Sequence, residues 1–175
     1  MTDATLVTDG GLPGVRLERV LPDPPPVVWR ALTAPEELAR WFPCGIEVDG
    51  GEWKPGAALR FPFPSDVIDM TLTGEILECD APSRLAYTWG DEVLRFELHE
   101  QDGGTRLVLV NELPGDRAAR NAAGWEVCLE RLRGATEPSR PWRARFDDYV
   151  ASFSGTLGHQ QGPPEGFKGD EAESP

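Results

Sequence analysis

Apolar residues between positions 15 and 111 recur mostly at every second residue, with one interruption where the spacing turns helical. Val15 to Leu21 (VRLERVL) alternates apolar and charged side chains, the pattern of a half-buried strand with Val15, Leu17 and Arg19 on one face. The proline run from Pro22 to Pro26 stops that strand and opens a helix, because proline is tolerated in a first turn, and Asp23 is the candidate cap. Val28, Trp29 and Leu32 give this helix a short apolar face. Thr33 is placed to cap a second short helix, with Leu38, Trp41 and Phe42 as its buried stripe and Pro43 as its end. The period then returns to two. Ile46 and Val48, then Leu59, Phe61 and Phe63, then Met70, Leu72, Gly74 and Ile76 each share a face. Leu85, Tyr87 and Trp89 follow, then Leu94, Phe96 and Leu98, then Leu107, Leu109 and Asn111, with Gly90-Asp91 and Gln101 to Gly104 as hairpin turns. Ala118, Ala122, Trp125, Leu129 and Leu132 restore helical spacing until Gly134. A last short helix runs from Trp142 to Phe153.

Strands joined in succession by tight turns form an antiparallel meander, since parallel neighbours need long crossovers. The apolar face of such a sheet must be covered, and the helix carrying Trp125 and Leu129 is the only element long enough. The expected fold class is α+β: a curved antiparallel sheet of about six to seven strands, two short helices after the first strand, and a long late helix across the sheet. Residues 1–14 read as a flexible N-terminus, 15–153 as one folded domain, and 154–175, rich in Gly, Pro and acids, as a disordered acidic tail.

Composition sharpens this picture in three ways. The six Trp and seven Phe must be covered by the fold or by a ligand. Each such ring is worth about 4–6 kcal/mol when buried, as an upper bound, against a total stability of about 5–15 kcal/mol. A net charge of −13 and a pI of about 4.5 repel phosphate, so nucleic acid and anionic membrane are not expected partners. Cys44, Cys79 and Cys128 match no zinc spacing and are odd in number, so free thiols in a reducing cytoplasm are expected. No apolar run is long enough to span a membrane, and the first residues do not form a signal peptide.

The strings VWRALTAPEELARWF (28–42), WKPGAALRF (53–61), PSRLAYTW (82–89), GGTRLVLVNEL (103–113) and AGWEVCLERLRG (123–134), in this order, carry a resemblance. The chain resembles the activator of heat-shock-protein-90 ATPase homologue family within the START-like, helix-grip (SRPBCC) superfamily. That resemblance implies a β-α-α-β₆-α fold with a cavity between the sheet and the long helix. Many relatives carry His where this chain has Asn111, which weakens any acid–base role carried over to that position.

The expected function is a non-enzymatic binding domain for an apolar or lipid-like small molecule containing a ring. Trp41, Phe61, Phe63, Met70, Leu72, Trp89, Phe96, Leu109, Asn111, Trp125 and Leu129 are the candidate lining, with Asn111 to orient a ligand or hold a water. An empty ligand-sized void of about 300 Å³ would cost on the order of 7 kcal/mol, so the pocket must be occupied, hydrated, or collapsed in the free protein. No catalytic residue, metal ligand or cofactor site is expected: His99 alternates out of phase with Phe96 and Leu98, His159 lies in the tail, and Cys128 reads as a buried inert thiol. Two alternatives stand beside this reading. One is an interaction module docking a chaperone or another protein; the other is an aromatase/cyclase-like enzyme, which would need inward polar residues with shifted pKa values. A homodimer through a sheet edge is compatible with the pattern.

Overall fold

The architecture comes from a computed structural model, which describes residues 3–9 and 11–167. Its strands are β1 (Thr5–Val7), β2 (Gly14–Leu21), β3 (Glu47–Val48), β4 (Ala58–Pro62), β5 (Thr71–Asp80), β6 (Arg84–Trp89), β7 (Glu92–Gln101) and β8 (Gly104–Glu112). Its helices are α1 (Pro25–Thr33), α2 (Pro35–Trp41), α3 (Ala118–Leu132) and α4 (Trp142–Leu157). All strand pairs are antiparallel, in the order β1-β2-β8-β7-β6-β5-β4-β3. The meander runs from β3 to β8, and β2 closes onto β8, far away in sequence. This is the helix-grip fold, with eight strands rather than six or seven.

The hairpins are set by glycine. Gly90 takes φ +63° at the first position of the two-residue β6–β7 turn, a conformation that glycine adopts without strain. Between β5 and β6 the register shifts after Ile76, and a Cβ on Gly74 would stand 1.9 Å from the Thr88 carbonyl oxygen, so only glycine permits this approach.

α3 is buried on two sides. Ala118, Ala122, Trp125 and Leu129 face the sheet. Ala119, Ala123 and Glu126 face α4, which packs through Phe146, Tyr149 and Phe153. The contact between these helices holds a buried ion pair: Arg145 Nη1 donates to Glu126 Oε2 at 2.7 Å, and its other Nη donates to Glu130 at 2.8 Å. The Tyr149 hydroxyl donates to Glu126 and accepts from the backbone N–H of Ala4 at 2.8 Å.

Three expectations are corrected. Residues 5–7, inside the segment read as flexible, form an edge strand paired with β2. Their order comes from backbone pairing and from Tyr149, neither of which leaves a mark in hydrophobicity. The segment read as a tail also begins too early: α4 continues to Leu157, and Gln160 is buried, its Oε1 accepting from the Ala119 N–H at 2.9 Å. Gln160 thus caps the start of α3 from a distance. Residues 168–175 of the expected tail lie outside the described residues. Finally, neither Asp23 nor Thr33 caps a helix: the Asp23 carbonyl accepts from the Thr105 hydroxyl, and the Thr33 hydroxyl donates to the Trp29 carbonyl.

Candidate functional site

The strand period places one set of side chains under α3. β6 contributes Leu85, Tyr87 and Trp89; β7 contributes Glu92, Leu94, Phe96 and Leu98; β8 contributes Leu107, Leu109 and Asn111. Cross-strand partners align Leu85 with Phe96 and Leu109, Tyr87 with Leu94 and Asn111, and Trp89 with Glu92. The short α2 ends on Trp41 and Phe42, and the proline after them turns the chain so that both rings enter the same space.

The rings form a continuous run. Phe63 stacks on Trp89 with centroids 6.1 Å apart, and Trp89 lies 5.6 Å from Trp125. Phe42 lies 5.7 Å from Trp125 and 6.2 Å from Trp89. Trp41 meets Phe42 at 5.3 Å and Phe96 at 6.4 Å, both edge to face, and Tyr87 joins Phe96 to Phe61 at 6.0 and 5.7 Å. These separations lie within the range in which aromatic pairs gain beyond area burial.

The structure divides the eleven residues expected to line a pocket. Trp41, Phe61, Phe96, Leu109, Asn111, Trp125 and Leu129 are buried in one core cluster. Phe63, Leu72 and Trp89 are half-buried and pack against that cluster at one end. Met70 is half-buried beside them in sequence, and its carbonyl accepts from the Phe63 N–H at 2.9 Å. Trp125 and Phe96 both point into the interior, linked through Trp41 and Phe42. Between α3 and the sheet these side chains pack together as parts of one core cluster.

Two concavities open on the surface instead. One, of about 310 Å³, is mainly apolar and is lined by Leu38, Phe42, Cys44, Ile46, Pro62 and Pro64 among others. Phe42 is shared: it forms part of this groove and touches Trp89 and Trp125 behind it. The other, of about 370 Å³, is polar and open, between Asp3, Thr5, Arg16, Glu18, Arg19 and Arg133.

Beside Trp125 and Trp89 lies a buried polar cluster. Asn111 is 0% exposed; its Oδ1 accepts from Trp125 Nε1 at 3.0 Å and from Asn121 Nδ2 at 2.9 Å. Glu92 is 6% exposed, and its Oε2 accepts from Asn111 at 3.1 Å and from Asn121 at 2.8 Å. Its Oε1 receives only a long 3.3 Å contact from Arg117, whose guanidinium is committed to Asp91 at 2.6 and 2.9 Å. Burial pushes the Glu92 carboxyl above its ordinary range, and the Asn111 and Arg117 hydrogen bonds only partly offset this.

Glu92, Asn121 and Phe42 were not among the candidate site residues. The signal for Glu92 was available, since continuing the alternation of Phe96 and Leu94 back by one step puts it on the inward face. His99 stands exposed beside Glu97, 3.1 Å from its carboxylate. Among the described residues, no group of three or more His, Cys, Asp or Glu is placed to hold a metal, and no helix is long and apolar enough to cross a membrane. Cys44 and Cys128 are buried thiols, each pushed by burial up to about 12.

Comparison with known proteins adds a family. The family model described as Activator of Hsp90 ATPase homolog 1-like protein matches residues 23–137. No curated protein sequence matches significantly. Among solved structures, EF2215 from Enterococcus faecalis, a conserved protein of unknown function, is 25% identical with a TM-score of 0.73, covering 87% of this chain and 91% of that one. CalU16 from Micromonospora echinospora shares the fold at 23% identity and a TM-score of 0.66, covering 86% and 97%. DynU16, from the dynemicin biosynthetic locus, is 25% identical with a TM-score of 0.59, covering 73% of this chain and 49% of that one.

Proposed function

This chain belongs to the Activator of Hsp90 ATPase homolog 1-like family, and from that premise we propose that it is a binding domain for a neutral, apolar, ring-containing small molecule and performs no chemistry on it. The ligand seats at the end of the aromatic run, where Phe42 divides the surface groove from Trp89 and Trp125. The supporting observation is this arrangement: an apolar groove of about 310 Å³ is lined by Phe42, whose ring packs against half-buried Trp89 and buried Trp125. That volume lies at the lower end of the range for small-molecule sites, and rotation of the Phe42 ring would extend it inward. The likeness to DynU16, from the dynemicin biosynthetic locus, supports a small-molecule ligand.

A second reading, catalysis, draws on one observation. Glu92 is an inward carboxylate with raised proton affinity, the kind of group an acid–base enzyme needs. Its Oε2 already accepts from two amides and its Oε1 leans toward Arg117, so binding ranks first.

Titration with N-phenyl-1-naphthylamine, a neutral fluorescent probe, tests the proposal. A saturable one-site rise in probe emission, with shifts of the Trp89 and Trp125 indole signals in an ¹H–¹⁵N spectrum, is the expected result. No saturable binding up to the solubility limit of the probe, or shifts confined to the concavity around Arg16 and Arg133, would overturn it.

A further inference from the structure

Three indoles surround the site, and two of their N–H groups are satisfied. Trp41 Nε1 donates to the Ala31 carbonyl at 2.8 Å, and Trp125 Nε1 donates to Asn111 at 3.0 Å. Trp89 Nε1 differs: among the described residues it is the one buried side-chain nitrogen or oxygen that no acceptor meets with hydrogen-bond distance and angle, and the group it interacts with is the Cys44 thiol. Native structures leave few such groups, and each carries the full desolvation penalty of an unmet donor. The neighbouring Cys44 thiol does not meet the need. Burial pushes it up to about 12 and outweighs the opposite pull of the indole N–H, and a protonated thiol is a weak acceptor.

The position of this donor is as informative as its lack of a partner. The Trp89 ring is packed against Phe42, Phe63 and Trp125, and Phe42 and Cys44 also line the apolar groove. The unmet N–H therefore lies just behind the surface where the proposed ligand would enter. The polar cluster of Asn111 and Glu92 is the opposite case, because its principal donors already have acceptors.

We propose that Trp89 Nε1 is the recognition donor of this site, and that the ligand is a flat, neutral, apolar molecule presenting a carbonyl oxygen to it. This rests on the binding reading above and names the ligand class. A neutral carbonyl fits better than a carboxylate. The groove is lined by apolar side chains, with Glu47 as its sole charged member, so a buried anion there would lack a counter-charge. The ring system of the ligand lies against Phe63 and Phe42, and the carbonyl reaches the indole edge. A site built around a polar donor rejects the analogue that lacks the acceptor far more sharply than it rejects a change in apolar bulk.

The test compares 2-acetylnaphthalene with 2-isopropenylnaphthalene, which has the same shape but no acceptor, by isothermal titration calorimetry on the full chain. The wild type is expected to prefer the ketone by about tenfold, and the Trp89→Phe variant to bind both within about twofold. The Trp89 indole N–H signal, assigned by its loss in that variant, is expected to move downfield with the ketone and not with the hydrocarbon. Equal affinities in the wild type, with both compounds bound, would overturn the donor assignment while leaving the binding reading intact. A preference that survives Trp89→Phe would also overturn it. Failure of both compounds to bind would remove the binding reading and this inference together. If the variant does not fold, the wild-type ratio decides the question alone.

Discussion

The indole N–H of Trp125 donates to Asn111 Oδ1 at 3.0 Å, tying the middle of α3 to the end of β8 across the interior. This bond ends the aromatic run in a polar anchor and fixes how closely the helix approaches the sheet. Asn111 Oδ1 also takes an N–H of Asn121, and its own amide reaches Glu92, so one side chain organises three others.

Replacing Asn111 with Ala removes the acceptor for two donors and a donor to Glu92. Each buried group left unmet costs about 1–3 kcal/mol, so a destabilisation of about 2–4 kcal/mol is expected after partial relaxation. Urea unfolding measures it. A loss under about 1 kcal/mol would mean that water replaces the amide without penalty.

Trp125 separates packing from hydrogen bonding. Trp125→Ala is expected to cost about 3–5 kcal/mol, a large share of the stability of a small domain, whereas Trp125→Phe keeps most ring contacts and loses the donor for about 1–2 kcal/mol. Thermal unfolding of the pair gives both values; equal losses would show that the ring packing adds nothing beyond the hydrogen bond, and no loss in Trp125→Phe would show that the hydrogen bond contributes nothing.

The buried Arg145–Glu126 pair holds α4 on α3, with side chains only 5% and 3% exposed. Arg145→Met strands a buried carboxylate and is expected to cost about 3–5 kcal/mol. The double variant Arg145→Met with Glu126→Leu is expected to regain most of that loss. A double-mutant cycle by chemical denaturation checks this; a double variant that falls as far as the sum of the singles would show no coupling between the two groups and would overturn the expectation.

Glu130 and Glu92 give opposite responses to pH. Burial alone would raise Glu130, but hydrogen bonds from Ser139 and Arg145 outweigh it and hold the carboxyl at about 2, below its ordinary 4.5. Its contribution is therefore present above pH 4.5 and is lost as pH falls toward 2, and Glu130→Gln is expected to abolish that loss. Glu92 is raised above 4.5 by burial amid Asp91, Arg117 and Arg120, so its ionisation penalises the fold increasingly as pH climbs above 4.5. The stability of Glu92→Gln relative to the wild type is thus expected to rise with pH over that window. Unfolding free energies measured from about pH 2 to pH 7 test both signs.

Particular residues show what could be read in advance. The alternation of Leu85-Tyr87-Trp89 and of Leu94-Phe96-Leu98 named the inward faces, because a strand presents alternate side chains to one side whatever its neighbours are. The helical spacing of Ala118, Ala122, Trp125 and Leu129 named the covering face for the same reason. Glu92 escaped because a charged residue beside a turn looks like surface; it is inward only because the hairpin register carries the alternation through to Gly90. The ordering of residues 5–7 and the capping by Gln160 escaped because both depend on partners more than 40 positions away or on backbone pairing alone.

Sequence alone determined the elements, their order, the side each presents to the core and the layered fold, because these follow from local periodicity and from the need to cover an apolar sheet face. Tertiary structure decided that the expected lining packs into one core cluster, that Phe42 separates it from an apolar groove, and that of three nearby indole N–H groups only Trp89 meets no oxygen acceptor. Those outcomes depend on how close approaching elements come and on which groups remain unmatched when they meet. Distances between residues far apart in the chain fix them, and local hydrophobicity does not encode those distances.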